Sequence, residues 1–267
     1  MKKKNRQNNL VSIIINCHNG EEYLDQCIKS IIKQTYKNWE IIFYDNKSVD
    51  NSIKILKNFK DKRIKLYSNK KKLWTLYKAR NLAIRKAKGR FVTFLDVDDL
   101  WNKNFLKKNV KKIKKLNCEI IYSKYFILDE NQKKIFLKTK KKLSSGYITQ
   151  DLLNNYNIGI LAVMLKKRVF KKYKFNNKYN IIGDFDFFLR LSLEYEFFTI
   201  NEPLALYRVH SRNYTLKNIL TYYLEIKQWY KKNFYLFKKY NLFKIKYYII
   251  KLKLKYYLKL IYLKITY

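Results

Sequence analysis

The first hundred residues predict a doubly wound α/β unit with a Rossmann-like, mostly parallel sheet. The last fifty predict a mainly helical, basic tail. Three observations carry this. Short apolar, β-branched runs alternate with segments of helical periodicity at short spacing. Polar clusters close three of those runs. Composition then changes near residue 214, beyond which 13 Lys accompany a single Glu among many Tyr, Leu and Ile.

Val11 to Ile15 (VSIII) is a continuous apolar run, the pattern of a strand buried on both faces. Residues 21 to 34 carry Leu24, Cys27, Ile28, Ile31 and Ile32 at helical spacing. Glu40 to Tyr44 reads as a second strand. Asp50 to Phe59 reads as a second helix with Asp50 as its N-cap. Ile64 to Tyr67 is a third strand, and residues 76 to 88 a third helix that Gly89 ends. Phe91 to Leu95 is a fourth strand. Residues 105 to 116 form a Lys-rich helix, and residues 119 to 137 two strands about an Asp-Glu-Asn-Gln turn. Residues 147 to 170 mix a helix with an apolar segment, Ile158 to Leu165. IIGDFDFFLRLS, residues 181 to 192, is an acidic turn entering an apolar helix.

A chain of 267 residues builds one sizeable core, or a domain with an appendage. The 60 Lys plus Arg outnumber 20 Asp plus Glu, giving a net charge of +40. Such an excess points to a nucleic-acid or membrane-surface partner. However, 51 of the 60 are Lys, and Asn, Ile, Tyr and Phe are also abundant. All five have A/T-rich codons, so genome composition competes as the cause. Clustered Arg and an aromatic stacking motif, the marks of a nucleic-acid binder, are missing. No nucleic-acid partner is expected. Cys17, Cys27 and Cys118 form no CxxC pair, which fits a reduced, cytoplasmic compartment. The N-terminal segment does not read as a signal peptide, and no run reaches about 18 apolar residues.

In a doubly wound sheet, ligands bind beyond the carboxyl ends of the strands. Asn16-Cys17-His18-Asn19-Gly20, Asp45-Asn46-Lys47-Ser48 and Asp96-Val97-Asp98-Asp99 all fall there. No GxGxxG follows the first strand and no P-loop is present, which disfavours dinucleotide and P-loop chemistry. Three Asp within four residues repel one another, so a positive object is expected between them. A solvated turn or helix cap is the competing reading.

In this order, VSIIINCHNGEEYL, IIFYDNKSVDNS, ARNLAIRKAKGRFVTFLDVDDLW, IIGDFDFFLRLS and YRVH resemble family 2 glycosyltransferases of GT-A fold, over about residues 10 to 213. The resemblance implies a nucleotide-sugar-binding half over 1–100 and an acceptor-binding half over 101–213, with 214–267 as the tail. It implies a nucleotide-diphosphate sugar donor, a UDP-sugar favoured, and a glycan or lipid-linked acceptor. It also implies Mn²⁺ or Mg²⁺ between diphosphate and carboxylates. Asp98 would be the metal ligand, with Asp96 beside the ribose or metal. His210 would reach the metal or diphosphate, or make a structural hydrogen bond. Asn16 and Asn19 would lie along the nucleotide. Asp45 and Asn46 stand where the family often has Asp-Asp at the base; an Asx turn competes for Asp45. Arg80 would pair with the diphosphate or Asp96, or lie on a solvated helix face. Asp184 matches the catalytic base, with a helix N-cap as its competing role, and Asp186 supports the helix. Gly183 departs from a common Glu. The family's chemistry inverts the anomeric centre. QxxRW is absent, so one sugar is added per encounter. Intact Asp96, Asp98 and Asp184 argue against an inactive relative.

The tail places Lys at intervals of two to five among Tyr, Leu and Ile, too polar to span a bilayer. A helix of that length is expected to break near Asn241, although KLKLKYYLKL also alternates like a strand. Two readings stand. The tail lies on an anionic membrane surface at the inner face, or it packs as a hairpin on the domain.

Overall fold

The computed structural model describes residues 9–69 and 75–266. Among the described residues, nine strands form one mixed sheet. Strands β1 (Val11–Cys17), β2 (Trp39–Asp45), β3 (Ile64–Ser68) and β4 (Phe91–Phe94) lie parallel in the order β3-β2-β1-β4. The sheet continues with β8 (Val163–Lys166), β6 (Ile120–Asp129), β9 (Phe197–Val209) and β5 (Leu100–Trp101). Here β4, β8 and β6 pair antiparallel, β6 and β9 parallel, and β9 and β5 antiparallel. The hairpin partner β7 (Lys134–Leu137) hangs from β6, across the Asp-Glu-Asn-Gln turn. Pro203, which lacks a ladder donor, sits where the β6–β9 register shifts.

The continuous apolar run of β1 has a simple cause. Ile13 and Ile15 join one core layer with helices α1 (Glu21–Ile32) and α4 (Phe105–Lys115). Ile14 faces the opposite layer with α3 (Leu76–Lys86) and α7 (Gly183–Ser192). Successive strand residues point to opposite faces, so a strand covered on both sides has no solvent-facing position, and Ser12 within the run gives its hydroxyl proton to Glu40 Oε1 at 2.6 Å.

Two local expectations need correction. Helix α2 spans Ser52–Asn58 with Asn51 at its cap position, not Asp50. The Asp50 carboxylate instead accepts from Ser52 N at 3.0 Å and from Glu21 N, the first residue of α1, at 2.9 Å. It serves the starts of two helices at once. Helix α3 stops at Lys86, before Gly89. Gly89 is needed for close approach, since a Cβ there would lie 2.6 Å from Leu10 O.

The segment 147–170 resolves into α5 (Thr149–Asn154), a 3₁₀ turn (Ile160–Ala162), β8 and α6 (Val169–Lys172). Beyond β9 come α8 (Tyr214–Lys217), α9 (Ile219–Phe237) and α10 (Phe243–Thr266). The break falls at Asn241. Its backbone N–H donates to Gln150 Oε1, and its Oδ1 accepts from Phe243 N at 2.9 Å. KLKLKYYLKL is helical, inside α10. Ile226, Trp229, Phe237, Leu242, Ile245 and Leu252 are buried in the same layer as Phe94 and Phe187. The tail is therefore packed into the domain's own core.

Candidate active site

The ends of β1, β2 and β4 meet at one rim. Cys17 pairs with Asp45 in register, and Asn16 with Tyr44. Asn16 is buried with both amide atoms unpartnered, a polar group that the fold itself leaves unsatisfied. Asn19 adopts φ 57°, and its Oδ1 accepts from Val49 N at 2.9 Å. Asn46 N donates to Cys17 O at 2.8 Å, which ties the two strand ends together. The Asp45 carboxylate accepts from Lys47 N at 3.1 Å and Ser48 N at 3.2 Å. That is the Asx turn, so Asp45 shapes the loop from within. A Cβ on Gly20 would meet Val97 Cγ2 at 2.8 Å. Only glycine lets this rim reach the Asp96–Asp99 loop.

In that loop each carboxylate has a different partner. Asp96 Oδ1 accepts from Arg80 Nη2 at 2.8 Å. Arg80 is 2% exposed and lies 5.5 to 5.6 Å from the ring centres of Tyr77, Phe94 and Phe175. It does not lie on a solvated helix face; the aromatic box buries it, and its Nε has no partner. Asp99 is fully buried, and its Oδ1 accepts from Arg208 N at 2.9 Å. Burial, with Asp98 and Asp96 alongside, pushes its carboxyl well above the ordinary range. Asp98 Oδ2 lies 3.2 Å from His210 Nε2 and 3.4 Å from Asn213 Nδ2. Burial and the neighbouring Asp96 raise its pKa too.

An oxygen donor beside an imidazole nitrogen suits Mn²⁺ or Mg²⁺, whose remaining positions diphosphate oxygens would fill. Among the described residues no group of three His, Cys, Asp or Glu would hold a metal ion unaided. Asp98 and His210 would therefore need oxygens of an anionic ligand to complete the coordination of such a cation. His210 Nδ1 accepts from Arg212 N at 3.2 Å, which leaves the ring proton of the neutral imidazole on Nε2, facing Asp98. Ligation through Nε2 would move that proton.

Asp184 stands at the second position of α7. Its Oδ1 accepts from Phe185 N at 2.8 Å, and Tyr77 Oη lies 3.3 Å from it. Tyr156 Oη lies 3.4 Å from Oδ2. Tyr77 gives its one proton to Ile181 O at 2.7 Å. The helix cap position belongs to Ile182, not Asp184. Burial raises the Asp184 pKa, while Arg80 opposes that shift and Asp96 adds to it. Gly183 is explained by Tyr77: a Cβ at 183 would lie 2.4 Å from the ring. Asp186 is occupied, by Arg190 Nη2 at 2.8 Å and Trp229 Nε1 at 3.1 Å.

Sequence reasoning missed Tyr77 and Tyr156 on Asp184, and Asn213 on Asp98. Tyr77 sits three residues before Arg80, within one helical turn of a noted position. Tyr156 carries no local signal.

A model of the family described as glycosyl transferase family 2 matches residues 12–192. The chain is 35% identical to UDP-Glc:alpha-D-GlcNAc-diphosphoundecaprenol beta-1,3-glucosyltransferase WfgD of Escherichia coli, over 69% of each chain. The crystal structure of Staphylococcus aureus TarS 1-349 with UDP superposes with a TM-score of 0.65 at 19% identity. That match takes in 81% of this chain and 65% of that one, a little under two thirds of its length. The mannosyltransferase PcManGT of Pyrobaculum calidifontis, solved with GDP-Man and Mn²⁺, gives a TM-score of 0.61 at 15% identity, over 83% of this chain and 63% of that one. At these identities the two structures speak for the shared GT-A fold. With the matched motifs seated at one rim of that fold, this chain belongs to the family 2 glycosyltransferases.

Proposed function

We propose that this glycosyltransferase moves one sugar from a UDP-sugar to a hydroxyl of a lipid-linked glycan, with inversion at the anomeric carbon and a divalent cation. The observation that carries the reading is the pair Asp98 and Asp184. Both carboxylates have only long contacts to other side chains, both are pushed toward the neutral form by burial, and both feel the charge of Asp96, which Arg80 holds. The orphaned amide of Asn16 and the rim at Asn19, Asp45 and Asn46 would take the nucleotide.

Asp98 and His210 would hold Mn²⁺ or Mg²⁺, which when bound would neutralise the leaving diphosphate. Arg80, fixed in its aromatic box, holds Asp96 in place. Asp184 accepts the proton of the acceptor hydroxyl as that oxygen attacks the anomeric carbon. The base is anionic before the attack and neutral after it, and UDP departs from the opposite face. A direct displacement with one base leaves no covalent intermediate, so configuration inverts. The lipid-diphosphate acceptor of WfgD supports an acceptor of that class, and hence a role in surface-polysaccharide, lipopolysaccharide or other glycoconjugate synthesis.

No described helix is long and apolar enough to cross a membrane. The outward side of α9 and α10 exposes Tyr235, Phe243, Tyr247, Ile250 and Leu254 among lysines. Such a face would attach reversibly to the anionic cytoplasmic leaflet, each engaged Lys contributing about 1 kcal/mol. Sedimentation with anionic vesicles at low salt, lost at high salt, is the expected result. Indifference to such vesicles would remove the peripheral assignment.

For the reaction itself, turnover of UDP-glucose, first in a donor panel, should require Mn²⁺ or Mg²⁺ and stop with EDTA. Asp98→Ala should abolish it in a folded protein. Full activity in that variant would refute the role of Asp98.

A further inference from the structure

Helix α9 belongs to the tail, where 13 Lys accompany a single carboxylate, Glu225. That carboxylate is buried. Its Oε1 accepts from Asn180 N at 2.6 Å, and its Oε2 from Ile181 N at 2.9 Å and Ile182 N at 3.2 Å. Three successive backbone donors, ending at the cap position of α7, are thus satisfied by one side chain from 43 or more residues away. One helical turn further along the same face of α9 stands Trp229. Its indole N–H donates to Asp186 at 3.1 Å, and its ring packs edge-on against Phe185, centroids 4.9 Å apart. Residues 180–182 and 185–186 are therefore both fixed by α9, and Asp184 lies between them.

We infer that Glu225 and Trp229 are positioning residues for Asp184, so that the basic tail helix is part of the catalytic apparatus. The inference rests on Asp184 being the base, as proposed above. The physical case is one of tolerance. A base must stand within hydrogen-bond reach of the proton it takes, and displacement by about 1 Å costs up to about 10²-fold in rate. Asp184's contacts to other side chains, at 3.3 and 3.4 Å to two phenols, are too long to fix it to that tolerance, and its one short bond, from Phe185 N at 2.8 Å, ties it only to the next residue of the same turn. Short bonds from other elements reach this turn from Tyr77 Oη, on Ile181 O at 2.7 Å, and from α9, on the N–H groups of 180–182 at one side and on the Asp186 side chain at the other. Without Glu225, three N–H groups lose their acceptor, that of Ile182 in a buried place, and the turn carrying Asp184 is free to rearrange.

The test uses the full-length protein, UDP titration for donor affinity, and UDP-glucose turnover measured well below the melting transition. Glu225→Ala is expected to bind UDP as tightly as the unsubstituted protein and to lose about 10²-fold in kcat. Glu225→Gln keeps one acceptor oxygen and is expected to lose about tenfold. Trp229→Phe keeps the ring but not the N–H, and should fall between the unsubstituted protein and Glu225→Ala. If Glu225→Ala folds, binds UDP and turns over normally with only a lower melting temperature, the contact is merely structural and the inference is overturned. If Glu225→Ala does not fold, Glu225→Gln decides, and a normal kcat there overturns the inference equally. Parallel measurement of Asp184→Asn separates the two levels. Loss in Asp184→Asn with none in the Glu225 variants rejects positioning alone. Normal turnover in Asp184→Asn rejects the base and the inference together.

Discussion

The molecule carries two acidic clusters, and they are built alike from opposite kinds of sequence. The first, Asp96, Asp98 and Asp99, is contiguous and lies on a loop after a parallel strand. The second, Asp184, Asp186 and Glu225, is assembled from two helices distant in the chain. In each, two carboxylates are committed to the fold by short bonds. Asp96 is on Arg80 and Asp99 on the Arg208 backbone; Asp186 is on Arg190 and Trp229, and Glu225 on residues 180–182. In each, the remaining carboxylate meets other side chains only at 3.2 to 3.4 Å; Asp184 has in addition one 2.8 Å bond, from the N–H of its own neighbour Phe185, and none that ties it to another element. The lesson is that proximity of charges does not mark the reactive group. What marks it is being left over after the fold has used the rest.

That contrast is open to direct attack. The largest expected effect is on Asp184→Asn, which should lose about 10²-fold or more in kcat with UDP affinity kept. Its pH profile sharpens the point. The base works only when ionised, and burial raises its pKa, so turnover should fall as pH drops through a value above the ordinary 3.8. The residual activity of the Asn variant should lack that limb. Weaker UDP binding with normal turnover would instead make Asp184 a binding group.

Next in size, Asp186→Ala should destabilise the fold by about 2–4 kcal/mol, read as a lower denaturation midpoint. It strands a buried indole N–H and unpairs Arg190, whose own side chain is 25% exposed and so softens the loss. A midpoint unchanged from the parent would mean that Asp186 is not committed to the fold.

The smallest effect should come from Asp98→Asn without metal, within about 1 kcal/mol. The sign follows from its raised pKa. A carboxyl whose folded pKa exceeds its unfolded value binds protons more readily in the folded state. Its contribution to stability is therefore greatest below the unfolded pKa and is lost as pH rises through the folded one. At pH 7 the ionised form opposes folding, so the Asn variant should melt at the same temperature or higher. A clearly lower melting temperature would place Asp98 with Asp99, among carboxylates the fold has already used.

Much of this was legible locally. The alternation of strands and helices, the polar rims at Asn16, Asp45 and Asp96, and the break at Asn241 follow from periodicity and turn chemistry over a few residues, and such signals survive whatever surrounds them. Strands β5, β8 and β9 were not distinguished. β5 is two residues long, β8 is a four-residue apolar stretch, and β9 bends at Pro203, so only pairing defines them.

The sequence by itself determined which strand ends carry carboxylates and amides, because a βα turn is written in adjacent residues. Tertiary structure alone decided which of those groups remain available. Arg80 became a buried counter-ion because Phe94 and Phe175, from other elements, close over it. Residue 183 had to be glycine because the Tyr77 ring, from α3, occupies the space of a Cβ. The tail entered the core because one Glu and one Trp a turn apart meet three free N–H groups and a carboxylate at the start of α7. Each is a contact between residues far apart in the chain, where no local spacing records the partner, and where an unmet buried donor or a filled void costs more than any helix or strand propensity.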